Sequence, residues 1–152
     1  MTDVYKQLAE RLDQLPHGYP ATESGVELKI LRKIFTPEDA EMALKMKYFP
    51  ETAETIADRI GKTVEEMRTT LDLMAQKGQI GSSTKNGKQM YMLAPFVVGI
   101  YEYQVYRLDK ELVDLFEEYF PILSKSLGGY KPAIARTIPI NTNLKQDYQI
   151  QP

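Results

Sequence analysis

For most of this chain the apolar residues recur at helical spacing. Val4, Leu8, Leu12 and Leu15 fall at intervals of four, four and three, which predicts a short N-terminal helix with one apolar stripe. Pro16-His17-Gly18-Tyr19-Pro20 breaks it, because both prolines bar helix continuation. A second helix is predicted over residues 26–35, with Leu28, Leu31, Ile34 and Phe35 inward. Thr36-Pro37-Glu38-Asp39 then supplies a capping hydroxyl, a proline at the first helical position and an acid three residues after the cap. The helix starting there carries Ala40, Ala43, Leu44 and Met46, and should end near Phe49-Pro50, since a residue before proline resists helical geometry.

Residues 52–93 carry the densest pattern. Thr52 can cap a short helix with Ile56, Ala57 and Ile60 apolar, and Gly61-Lys62 makes a tight turn. Thr63-Val64-Glu65-Glu66 reads as a capping box opening a second helix, whose Val64, Met67, Leu71 and Met74 share an inward face. Gly78 stands where a C-terminal cap belongs. Two strand-like pieces, Gln79-Ile80-Gly81-Ser82 and Gln89-Met90-Tyr91-Met92-Leu93, flank Asn86-Gly87, the preferred pair for a tight hairpin with positive φ. Helix, turn, helix, hairpin is the layout of a winged helix-turn-helix.

From Pro95 the pattern changes. Phe96, Val97, Val98, Ile100, Tyr101, Tyr103, Val105 and Tyr106 leave little polar face, so this stretch should be buried on more than one side. It reads either as plain core or as a dimer contact, with Phe96, Ile100, Tyr103, Leu112 and Phe116 as candidate interface residues. Residues 109–120 are amphipathic, with Leu112, Leu115, Phe116, Tyr119 and Phe120 on one face. The helical region should end at Pro121 and Gly128-Gly129. The expected organisation is an N-terminal helix and breaker at 1–19, a winged helix-turn-helix at 20–94, a helical packing or dimerisation region at 95–130 and an extended arm at 131–152. The fold class is thus mainly α with a small β-hairpin wing.

Composition narrows the chemistry. The 152 residues include no cysteine, no tryptophan and one histidine, with a net charge of −2. Without cysteine the chain has no disulfide, thiolate nucleophile or Cys-ligated zinc, and no cofactor site is expected within it. One histidine in a proline-flanked loop cannot complete a catalytic triad or a multi-histidine metal site. The glycines form no phosphate-binding fingerprint. Glu117 and Glu118 are adjacent on a helix, so their carboxylates diverge. A non-enzymatic, cytoplasmic protein is expected, because no apolar run reaches the ~18–20 residues of a membrane span and the N-terminus lacks a signal peptide's apolar core.

Two kinds of partner remain open. In a winged helix the second helix of the motif reads the major groove and the hairpin contacts backbone or minor groove. The candidate DNA-facing residues are Thr63, Arg68 and Thr69 on the helix and Lys85, Asn86 and Lys88 on the wing. Charge weakens that reading. Residues 53–93 hold Arg59, Lys62, Arg68, Lys77, Lys85 and Lys88 against Glu54, Asp58, Glu65, Glu66 and Asp72, a balance of only +1. A dedicated DNA-binding face shows a clear basic stripe. Protein–protein contact by the same scaffold, as a homodimer or with another protein, is the stronger expectation.

Residues 52–61, the capped helix after Thr63 and Gly78-Gln79-Ile80-Gly81 resemble winged-helix domains generally. A broader resemblance runs through Pro95-Phe96-Val97-Val98-Gly99-Ile100-Tyr101-Glu102-Tyr103-Gln104, Glu117-Glu118-Tyr119-Phe120 and Ala135-Arg136-Thr137-Ile138-Pro139-Ile140. Together these are similar to the N-terminal region of a bacterial family of 4Fe-4S ferredoxin or iron–sulfur cluster-binding proteins. There such a region leads through an arm into a cysteine-rich module. The resemblance implies 4Fe-4S clusters held outside this sequence, a possible redox partner protein, and a non-catalytic docking role for the residues present here. The rival expectation is a DNA-binding winged-helix regulator.

Overall fold

The computed structural model describes residues 2–128. It is mainly helical, with one small antiparallel sheet. Helix α1 (Val4–Asp13) is followed by α2 (Val26–Ile34) and α3 (Pro37–Leu44). Strand β1 (Glu51–Thr52) leads directly into α4 (Ala53–Ile60) and then α5 (Val64–Gln76). Strands β2 (Gly81–Lys85) and β3 (Lys88–Met92) form the hairpin. A short irregular turn, Phe96–Ile100, precedes α6 (Tyr101–Tyr103), a 3₁₀ turn at Val105–Arg107, and the long α7 (Lys110–Gly128).

The local signals in the middle of the chain act as expected. Thr36 and Thr63 both close capping boxes, with Asp39 and Glu66 as the returning acids. Asn86 and Gly87 take φ of 50° and 75°, the geometry that a two-residue hairpin needs. Gly78, at φ 70°, ends α5. Its N–H bonds the Ala75 carbonyl and that of Gln79 bonds Met74, the paired bonds of a left-handed helix stop. The sheet order is β1-β3-β2, with Glu51 opposite Tyr91 and Ser82 opposite Tyr91 on its other side. Strand β1 is too short to carry a period and was not expected. Its position is secured by Arg59 of α4, which holds the buried Glu51 carboxylate and the Lys45 carbonyl.

Four expectations are corrected. Helix α3 stops at Leu44 instead of near Phe49, because Lys45 and Met46 bond back only three residues, to Met42 and Ala43, and tighten into a turn. Val64 points outward from the first turn of α5, while Met67, Leu71 and Met74 are buried. Pro121 lies inside α7 instead of ending it, and the helix runs on to bury Leu123. The stretch from Phe96 to Tyr106 is not buried all round. Phe96, Ile100 and Gln104 are inside, whereas Val98, Tyr103, Val105 and Tyr106 are exposed. The expected arm at 131–152 lies outside the described residues.

One apolar core runs from Leu8 on α1 to Leu123 on α7. Helix α1 packs on α2 and α3, α4 on α5, and α7 on α2. Aromatic rings close the seam between the ends of the chain. Tyr19, from the loop after α1, sits 4.6 Å from Phe96 and 5.3 Å from Tyr119 between ring centroids. Each buried hydroxyl finds a carbonyl: Tyr19 donates to Glu27 at 2.7 Å and Tyr119 to Pro20 at 2.8 Å. Burial pushes the Tyr19 hydroxyl well above its usual pKa and raises that of Tyr119, so both phenols are held as protonated donors.

Candidate functional site

Two surfaces deserve comparison. The first is formed by α5 and the β2–β3 hairpin. Thr63 is exposed, but its side chain is committed to the cap: it accepts from Glu66 N–H at 3.2 Å and donates to the Glu66 carboxylate at 2.9 Å. Thr69, Lys85, Asn86 and Lys88 are all exposed. Lys85 and Lys88 stand directly opposite one another across the hairpin. The fold gathers Arg68 and Lys88 on the walls of one cleft of about 480 Å³, with Glu54 from the first turn of α4 between them. Arg68 donates to the Glu54 carboxylate at 2.5 Å. Glu54 titrates below its ordinary value through its own backbone N–H, then through the charges of Arg68 and Lys88. At the base of the cleft Tyr91 donates its hydroxyl to Asp72, and burial with that bond pushes the phenol up. Of the six candidate DNA-facing residues only Arg68 and Lys88 meet in this cleft, and they do so around the Glu54 carboxylate of the same chain.

The second surface lies where α6 and the 3₁₀ turn meet α7. Of the five candidate interface residues, Phe96, Ile100, Leu112 and Phe116 are buried in this chain's own core, and only Tyr103 is exposed. The physical reason is the ring packing. Phe96 and Phe116 lie within about 6 Å of Tyr101 or Tyr119, and Leu112 and Phe116 face inward on α7. The exposed apolar residues here are different ones: Tyr106 at 96% exposure, Phe120 at 50% and Leu108 at 45%. Leu108, Val113, Glu117, Phe120 and Pro121 wall an open groove of about 350 Å³ floored by Tyr101 and Phe116. The inward assignment of Phe120 missed this groove. Once Tyr119 and Leu123 take the core-facing positions of α7, Phe120 is rotated outward.

The segment before α7 is fastened from both ends. Gln104 donates to the Lys77 and Gly78 carbonyls, and Arg107 donates twice to Gln76, so two side chains satisfy the carbonyls of the last α5 residue and of the two that follow it. Val98 takes a left-handed φ of 54°, costly for a β-branched residue, and the Glu102 carboxylate holds the Val98 and Gly99 N–H groups. The Gln104 and Arg107 bonds span 26 to 31 residues, a separation that sequence pattern does not register.

Among the described residues no group of three or more His, Cys, Asp or Glu side chains is arranged to hold a metal ion. With no cysteine in the sequence, these residues do not fit a thiolate-bound cluster. No described helix is long and apolar enough to cross a membrane. Comparison of the chain with protein-family models, curated proteins and solved structures gives no match.

Proposed function

We propose that this chain is a non-catalytic winged-helix module that docks a protein partner, acting in the cytoplasm as part of an iron–sulfur electron-transfer or redox-responsive protein. The winged-helix assignment is supported by the order α3, β1, α4, α5, β2, β3, with β3 central in the sheet and a two-residue turn at the wing tip. The iron–sulfur setting rests on the sequence resemblance, and any clusters would be held by residues outside these 152. The observation that favours a protein partner over DNA is the Arg68–Glu54 pair. The arginine best placed to meet a phosphate is already engaged by a carboxylate of the same chain. Titration of the full chain into a labelled DNA duplex at low salt should give no binding above that of a neutral control protein.

The second reading, a DNA-binding regulator, is favoured by one specific feature. Lys85 and Lys88 repel one another across the hairpin unless an anion lies against them. In that case the full chain binds duplex DNA, log affinity falls with log salt by about 0.9 per phosphate contact, and Lys88→Ala flattens the slope. Such a result would replace the docking proposal.

A further inference from the structure

The groove between the 3₁₀ turn and α7 has a chemistry of its own. Its floor and walls are apolar: Tyr101 and Phe116 below, Leu108, Val113, Phe120 and Pro121 at the sides. Val113, Glu117, Phe120 and Pro121 fall four, seven and eight residues along α7, so they form a continuous helical stripe. The exposure of Phe120 and Leu108 leaves large apolar side chains in water at the mouth. Exposed apolar surface of this kind, with a polar rim, marks a contact site.

The rim carries more acid than base: Lys110, on the same helix, pairs with Asp114 and lies in the field of Glu117. Glu117 lines the groove, and Glu118 and Asp114 stand beside it on the same helix. Among the described residues the ion pairs of α7 use Asp114, with Lys110, and Glu111, with Lys33. Neither Glu117 nor Glu118 is in one. The backbone adds another acceptor. Pro121 has no N–H to give the Glu117 carbonyl four residues back, so that carbonyl lacks its usual helical donor beside the Glu117 side chain. A helix that keeps a proline at this point loses a hydrogen bond.

We propose that this groove binds a segment of a partner protein that carries apolar anchors flanked by lysine or arginine, an inference that rests on the docking function proposed above. Lysine and arginine bring positive charge and only donors, which complements a rim where Glu117 and Glu118 stand outside the ion pairs. A second copy of this chain fits poorly. A two-fold contact through the groove would bring up a second α7 of the same net charge, Glu111, Asp114, Glu117 and Glu118 against Lys110 and Lys125, instead of an opposite one. The apolar walls select the anchors, and the acidic rim selects the flanks and sets the on-rate.

The test uses the full chain and two synthetic fluorescent peptides that share the same leucines at four-residue spacing. One has lysine and arginine flanks, the other glutamate flanks. The basic peptide should bind about tenfold tighter or more, as like-charge contact costs the acidic one. Phe120→Ser should abolish binding, Glu117→Lys should reverse the preference, and Asp58→Lys, a charge change on α4, should alter neither. Circular dichroism confirms that each variant is folded. If the basic peptide binds equally well to wild type and Phe120→Ser, the groove assignment fails while protein docking stands. If no peptide binds and the chain binds duplex DNA instead, the docking function itself fails. A concentration-dependent dimer in sedimentation that Phe120→Ser dissociates would make a second copy the occupant and overturn the proposal.

Discussion

Gln104 and Gly78 meet at the end of α5 with no room between them. The Gln104 amide nitrogen donates to the Gly78 carbonyl at 3.0 Å and lies 2.8 Å from where a Cβ on residue 78 would stand. Tyr103 approaches equally closely, at 2.8 Å. Gly78 is therefore required twice, for its positive φ and for the missing side chain.

Gly78→Ala should destabilise the fold by about 2–3 kcal/mol, the sum of backbone strain and a forced shift of the 103–104 segment. Gln104→Leu should cost about 1–3 kcal/mol by leaving the Lys77 and Gly78 carbonyls without donors. Combined, the two losses should be less than additive, because each breaks the same contact. Urea titrations of the single and double variants measure this directly.

The aromatic seam gives a graded series. Tyr119→Phe keeps the ring and loses the 2.8 Å bond to Pro20, an expected cost of about 1 kcal/mol. Tyr19→Ala removes a fully buried ring that contacts both Phe96 and Tyr119 and should cost about 3–5 kcal/mol. The larger loss should also free α7 from the loop after α1, visible as faster amide exchange in Leu123 and its neighbours.

Acid should weaken the fold partly through Asp39. Burial alone would raise this carboxyl, but Lys77 at 2.8 Å and Gln79 at 2.8 Å bond its ionised form and hold it below the ordinary 3.8. A folded-state value below the unfolded one means that stability is complete above 3.8 and is lost as pH falls through the depressed value. Asp39→Asn removes that dependence. Wild type should be the more stable at neutral pH, and the gap should narrow from about pH 4 downward. A gap that stays constant to acid pH would show that the charge of Asp39 contributes nothing.

Pro121 separates stability from docking. Pro121→Ala restores an N–H to the Glu117 carbonyl and removes a helix-breaking ring, a gain of about 2 kcal/mol after allowing for the looser unfolded chain. The same substitution removes the ring that helps wall the groove. A rise in thermal midpoint together with weaker binding of the basic peptide is the expected pair of results. Unchanged binding would show that the Pro121 ring contributes nothing to recognition.

Much of the fold was legible locally. Thr36 and Thr63 announced their helices through residues three positions away, and Asn86-Gly87 announced the hairpin through backbone preference alone. Strand β1 was not legible, since two residues carry no period and Glu51–Thr52 is a strand only because β3 runs beside it. The continuation of α7 through Pro121 was also hidden. Leu123 repays the lost backbone bond by burial against the rest of the core, which no local rule counts.

The site divides in the same way. Sequence identified Arg68 and Lys88 as exposed cations of one motif, but Glu54, fourteen residues from Arg68, enters their cleft only when α4 and α5 pack. It marked the stretch from Phe96 to Tyr106 as apolar without showing which residues the core would use. The core used Phe96 and Ile100 and left Tyr103, Val105 and Tyr106 outside.

The sequence by itself determined the caps, the turns, the absence of thiolate chemistry and the mainly helical class, because these depend on composition or on residues within a few positions of each other. Only the tertiary structure decided which apolar faces are consumed and which remain in water. Burial is set by what packs against a helix: Tyr19, Phe96 and Leu123 compete for one core, and their winning it is what turns Phe120 and Glu117 outward.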